Sequence, residues 1–190
     1  MLIINENIST KEIEIYGERI KKQINLDIKP NLIKDKSPFK SAYLMFSFYF
    51  PKGLDNLINA FLIDSYLELI IRKELLYTRN IVYSFDSEVI CHYFGSLVNI
   101  ILSGFDIGNQ EIIIQVKDLI DIKPKLPLQY VKNRALGKIY MKCDYQSVKS
   151  RLNSHLYIHD FNLDKLIIGI NQSDVVDLPK SGEMFGLLIN

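Results

Sequence analysis

The feature that most constrains this chain is a long apolar helix pattern that runs directly into a strand pattern. From Leu54 the sequence reads LDNLINAFLIDSYLELII, and it goes on to Asn80-Ile81-Val82-Tyr83-Ser84-Phe85. Apolar residues recur at three- and four-residue steps as far as Leu76 and then alternate. A change of period from 3.6 to 2 marks a helix that feeds a strand. The spacing predicts a helix over 54–77, with Asp64-Ser65 as the place where it could break. The strand after it should run over 81–90, with Tyr83 on one face together with Ile81 and Phe85.

Other elements follow from the same rules. Ser9 and Glu12 form a capping box ahead of Ile13, Tyr16, Ile20 and Ile24, which predicts an N-terminal helix. Pro30 to Pro38 reads as a polar, Lys-rich connector. An aromatic strand over 41–50 stops at Pro51-Lys52-Gly53. Another strand is expected over 97–103, closed by a turn over 104–109. Ile113, Val116, Leu119 and Ile120 share one helical face over 110–122. Pro124 and Pro127 end that helix, and the next should run from Leu128 to Tyr140 or beyond. Val148, Leu152 and Leu156 place a helix over 145–158, and 174–178 reads as a short helical turn. Phe185 to Ile189 closes the chain as a strand. The class is α+β: a two-layer sandwich in which helices pack on one face of a largely antiparallel sheet. One domain is expected over 1–190, with an N-terminal helix and connector over 1–38 and the main unit over 39–190.

Composition narrows the function. The 190 residues are 48% hydrophobic, enough for one sizeable core, and the formal charge is +1. There is no basic stripe of the kind nucleic-acid binding requires, so no nucleic-acid partner is expected. Lys21-Lys22 and the lysines between Lys34 and Lys40 have acidic neighbours and read as solvated. No uncharged apolar run approaches the ~20 residues of a membrane span, and no secretory leader pattern is visible at Met1 to Glu6. Cys91 and Cys143 are too far apart for a metal-type pair. They read as free thiols of a reducing, cytoplasmic compartment.

The catalytic motifs are largely missing. His155 and His159 have the i, i+4 spacing that brings two imidazoles onto one helical face. The residues between them are Leu156, Tyr157 and Ile158, where H-E-x-x-H or H-x-x-E-H needs a carboxylate. With His92 as the remaining histidine, no complete zinc site is expected and no metal is assigned to this chain. No G-x-S-x-G elbow, phosphate-binding glycine loop or dinucleotide fingerprint is present. Cys91 and His92 are neighbours on a strand and point to opposite faces, which separates nucleophile from base.

Several runs resemble a known family. Leu75-Leu76-Tyr77-Thr78-Arg79-Asn80-Ile81-Val82-Tyr83-Ser84 resembles the L-R-x-x-x-G-L-x-Y-S stretch of the inverted-motif zinc peptidases, in their non-zinc half. These are the pitrilysin, insulin-degrading enzyme and mitochondrial processing peptidase group. Asn80 stands in place of the glycine and tolerates the same left-handed backbone. Leu126 to Asn133 resembles the T-x-E-E-L-x-x-A-K segment, and Ile170 to Val175 resembles the V-T-x-x-D-V turn. The similarity covers about 41–189. It implies two similar halves closing a chamber, one with H-x-x-E-H and zinc, the other with substrate contacts. Tyr83 carries over as a peptide contact. The family arginine falls on Leu76, and Arg72 and Arg79 flank it as candidate substitutes.

The resemblance implies a catalytically silent half-subunit of a heteromeric zinc metallopeptidase, engaged in peptide processing or maturation. It would bind peptide through Tyr83, Arg79 and Arg72, and its zinc-bearing partner would supply the metal. The alternative is a small binding protein, an immunity or inhibitor protein, since tyrosine is enriched at tight interfaces and this chain has 11.

Overall fold

The computed structural model describes residues 32–35, 42–92, 94–105, 111–144, 149, 152–153, 156–157, 161–179 and 184–189. The predicted N-terminal helix, His155 and His159 lie outside the described residues.

Among the described residues five strands make one sheet: β1 (Leu32–Asp35), β2 (Ala42–Pro51), β3 (Ser84–His92), β4 (Gly95–Phe105) and β5 (Phe185–Ile189). Their order is β1-β5-β2-β4-β3. β5 runs parallel to β1, and all other pairs are antiparallel. The helices are α1 (Leu54–Ile71), α2 (Glu111–Ile122), α3 (Leu128–Cys143) and α4 (Leu163–Gln172). The fold is α+β, as the sequence pattern predicts.

β2 shows why the sheet has one covered face. Ala42, Leu44, Phe46, Phe48 and Phe50 are buried, while Tyr43 and Tyr49 between them are exposed. Period-2 burial is what a sheet packed on one side produces. β4 repeats the pattern with Val98, Ile100 and Leu102. The buried strand residues share one core with α1, which is buried on nearly every side from Leu57 to Ile71. A helix that is apolar all round needs neighbours all round. α1 has the sheet on one side and α2, α3 and α4 on the others.

Polar side chains tie this layer together. Asn59 on α1 exchanges two hydrogen bonds with the Asp177 backbone, each 3.0 Å long. The Tyr66 hydroxyl donates to the Pro124 carbonyl (2.9 Å), and burial pushes its pKa up to about 12. Lys132 donates to the Asn171 carbonyl (2.8 Å), joining α3 to α4.

Several sequence expectations need correction. α1 does not break at Asp64-Ser65. The Asp64 carboxylate is held by Lys138 of α3 (2.6 Å) and does not compete for its own backbone. The connector over 30–38 contains β1, whose four residues were too short to carry a period. Gly104 and Phe105, read as part of a turn, extend β4. Residues 174–178 are not helical: the Asn59 side chain holds Asp177 in an open segment. α4 was not expected. It starts at Asn162, whose side chain accepts the Lys165 N–H (2.8 Å), and it buries Leu166 and Ile170. Within 145–158, Lys149, Leu152, Asn153, Leu156 and Tyr157 are helical, with Leu152 and Leu156 buried.

Candidate functional site

The passage from α1 to β3 builds the site. α1 continues without interruption into a π-helical segment, Arg72–Thr78. Segments of this kind are rare and concentrate at functional places. Leu75 anchors it in the core, fully buried. The Arg79 N–H donates to the Glu74 carbonyl (2.9 Å) and the Thr78 hydroxyl to the Lys73 carbonyl (2.7 Å), which closes the segment. Asn80 then takes a left-handed backbone with φ 52°, in agreement with its place in the L-R-x-x-x-G pattern. The Ile81 N–H returns to the Leu75 carbonyl (3.0 Å), and Val82 is buried. The Tyr83 N–H donates to the Ser103 carbonyl of β4 (2.9 Å).

Tyr83 does not share a face with Phe85, contrary to the alternation in the sequence. It sits in a bend before β3 begins at Ser84. Its side chain is 85% exposed, against 7% for Phe85 and 2% for Val82. A phenol on a hydrogen-bonded backbone, with its ring in solvent, offers a donor to an incoming group.

The structure separates the two candidate arginines. Arg79 is exposed at the mouth of the same segment and donates to Gln115 of α2 (3.0 Å). Arg72 turns toward the helical layer. Its guanidinium stands 5.0 Å from the centre of the Phe85 ring and its Nε lies 2.8 Å from the Glu68 carboxylate. Neither guanidinium hydrogen-bonds Tyr83 among the described residues. Leu76, at the family arginine position, packs partly buried against the core.

Glu68 is the centre of a buried charge network that the sequence did not disclose. Arg134 donates to both of its oxygens, and Lys138 lies 2.7 Å away. Lys138 also reaches Asp64 (2.6 Å) and the Ser87 hydroxyl of β3 (2.8 Å). One ammonium therefore joins α1, α3 and the edge strand. Burial alone would push the Glu68 carboxyl up. The hydrogen bonds and charges of Arg134 and Lys138 overturn that and hold it at about 2. The spacing Asp64/Glu68 against Arg134/Lys138, i, i+4 on both helices, was the available signal.

These carboxylates do not make a zinc site. Each is already neutralised by a cation, and among the described residues no imidazole or thiolate joins them in a metal-holding group. Among the described residues no group of three or more His, Cys, Asp and Glu is placed to hold a metal. Nor, among those residues, is any helix long and apolar enough to cross a membrane.

β3 is the last strand of the sheet, and among the described residues β4 is its one strand partner. An open edge offers main-chain donors and acceptors to an added strand. Asp86 and Glu88 are exposed along it, and the Asp86 carboxylate accepts the Ser87 N–H (2.9 Å). Charges at an edge discourage unselective pairing.

No family model matches the sequence, and no curated protein matches it. Solved structures share its fold. The peptidase M16 inactive domain from Pseudomonas fluorescens has a TM-score of 0.58 at 12% identity, covering 96% of this chain and 51% of that one. A protein named as an M16-like peptidase, from Alicyclobacillus acidocaldarius, has a TM-score of 0.61 at 8% identity, covering 93% and 51%. A protein named as a zinc protease, from Bordetella pertussis Tohama I, has a TM-score of 0.57 at 10% identity, covering 81% and 96%. The chain thus spans about half the length of the first two. At such identities the likeness concerns architecture, and the architecture of this chain is that of the M16-like peptidases.

Proposed function

We propose that this chain is a catalytically silent half-subunit that binds peptide and completes a chamber with a separate zinc-bearing half. The observation that carries the reading is Tyr83. Its phenol stands in solvent, on a backbone bonded to Ser103, at an edge of an M16-like sheet that carries no further strand among the described residues. An extended peptide added to that edge would gain sequence-tolerant main-chain bonds, and Tyr83 would donate to a peptide carbonyl. Arg79, exposed at the same mouth, is the second contact we assign. Arg72 serves this site indirectly, through Glu68 and Phe85. The likeness to a structure described as an inactive domain supports a non-catalytic role, and the coverage of about half of longer chains supports a half-length unit. Zinc and the general-base glutamate would come from the partner.

The test is purification of the tagged protein from its native host. Recovery of a stoichiometric subunit carrying H-x-x-E-H, with zinc-dependent peptide cleavage by the pair, is expected. A soluble monomer from which no such subunit is recovered would refute the reading.

A further inference from the structure

The direction of the Tyr83 side chain has a physical cause in the neighbouring strand. Gly104 lies in β4 with φ +76°, in the left-handed region. A Cβ built there would come 2.3 Å from the Tyr83 Cβ, 3.3 Å from its Cγ and 3.4 Å from its Cα. No real pair of carbons tolerates the first distance, and neither atom belongs to a flexible side-chain end. The space left by the missing side chain is therefore the seat of the Tyr83 Cβ. Ser103 fixes the same junction from beside it. Its carbonyl takes the Tyr83 N–H, and its hydroxyl meets the Ser84 hydroxyl at 2.6 Å. With the root of the tyrosine seated on Gly104 and tied to Ser103, the ring is free to project.

We propose that Gly104 is a positioning residue for the peptide-binding phenol of Tyr83. This rests on the reading of Tyr83 as a peptide contact. A side chain at position 104 would lift Tyr83 off the sheet edge and misdirect its hydroxyl. Both the backbone conformation and the missing Cβ exclude other residues, and the two requirements can be separated by substitution.

The test has two arms. The first is a stability cycle that needs no peptide. Gly104→Asn, which accepts a left-handed backbone but carries a Cβ, should lower the folding constant on the order of tenfold to a hundredfold. In a Tyr83→Gly background the struck Cβ is gone, and the same substitution should cost clearly less, about fivefold at most, which is the strain of a side chain on a left-handed backbone. A variant that folds only in that background also supports the seat; additive losses overturn it. The second arm measures peptide cleavage by the reconstituted pair. Gly104→Asn should lose about as much activity as Tyr83→Phe, on the order of tenfold. The double variant should lose no more than either, because both act through one hydroxyl. Losses that multiply would overturn the positioning role. A coupled stability cycle with full activity for Tyr83→Phe would overturn the peptide role of Tyr83, and the positioning role with it, leaving only the packing.

Discussion

Replacing Glu68 by glutamine tests the charge network in a way that pH can resolve. The substitution keeps shape and burial and removes the charge that Arg134, Lys138 and Arg72 share. Glu68 is 2% exposed, so solvent screens the network little at its centre. Its carboxyl is held at about 2, below the ordinary 4.5. A depression of that size corresponds to about 3 kcal/mol of stability. Because the folded-state value is the lower one, this contribution is complete above about pH 4.5 and is lost as pH falls from there through about 2. Glu68→Gln should therefore be less stable than wild type by about 3 kcal/mol at neutral pH, a drop in melting temperature of roughly 6–12 °C. The assay is urea unfolding of both proteins at steps between about pH 7 and the lowest pH at which wild type stays folded. The gap should narrow steadily below about pH 4.5. A gap that stays constant across that range, or one under about 1 kcal/mol at neutral pH, would refute the reasoning.

Two further outcomes are expected. The purified chain should bind no stoichiometric zinc, because His155 and His159 lack an intervening carboxylate. Elemental analysis finding about one tightly held zinc per chain, lost on His155→Ala or His159→Ala, would overturn this. Tyr83→Phe should melt close to wild type, since the solvated hydroxyl has no hydrogen bond among the described residues, yet should reduce cleavage by the reconstituted pair on the order of tenfold or more. A large loss of melting temperature would instead assign Tyr83 to packing.

Much of the fold was legible because its long elements keep one period from end to end. β2 alternates from Ala42 to Phe50, α2 holds one apolar face from Ile112 to Ile120, and the proline pair before α3 marks the boundary between two helices. What escaped was short or held by distant partners. β1 has four residues and takes its order from parallel pairing with β5, across most of the chain. Residues 174–178 read as a short helical turn, but Asn59, more than a hundred positions away, fixes Asp177 in another shape. Asp64, Glu68, Arg134 and Lys138 look like scattered surface charges until α1 and α3 are packed together.

The misreading of Tyr83 has a different origin, and it bears on function. The sequence pattern passes from helical period to strand period with no gap between them. Between α1 and β3 the chain instead spends Arg72–Thr78 in a π-helical segment and Asn80 in a left-handed turn. The chain bends at Tyr83 itself, before β3 begins, so the strand phase carried back from Phe85 no longer applies there. Local rules tend to fail where structure serves a site rather than a core. Here the failure falls on the residue that the family resemblance picks out independently. The rare helical geometry and the left-handed Asn80 lead into that bend, the missing Cβ of Gly104 leaves room for the Tyr83 Cβ within it, and the ring that a regular strand would have packed beside Phe85 is exposed.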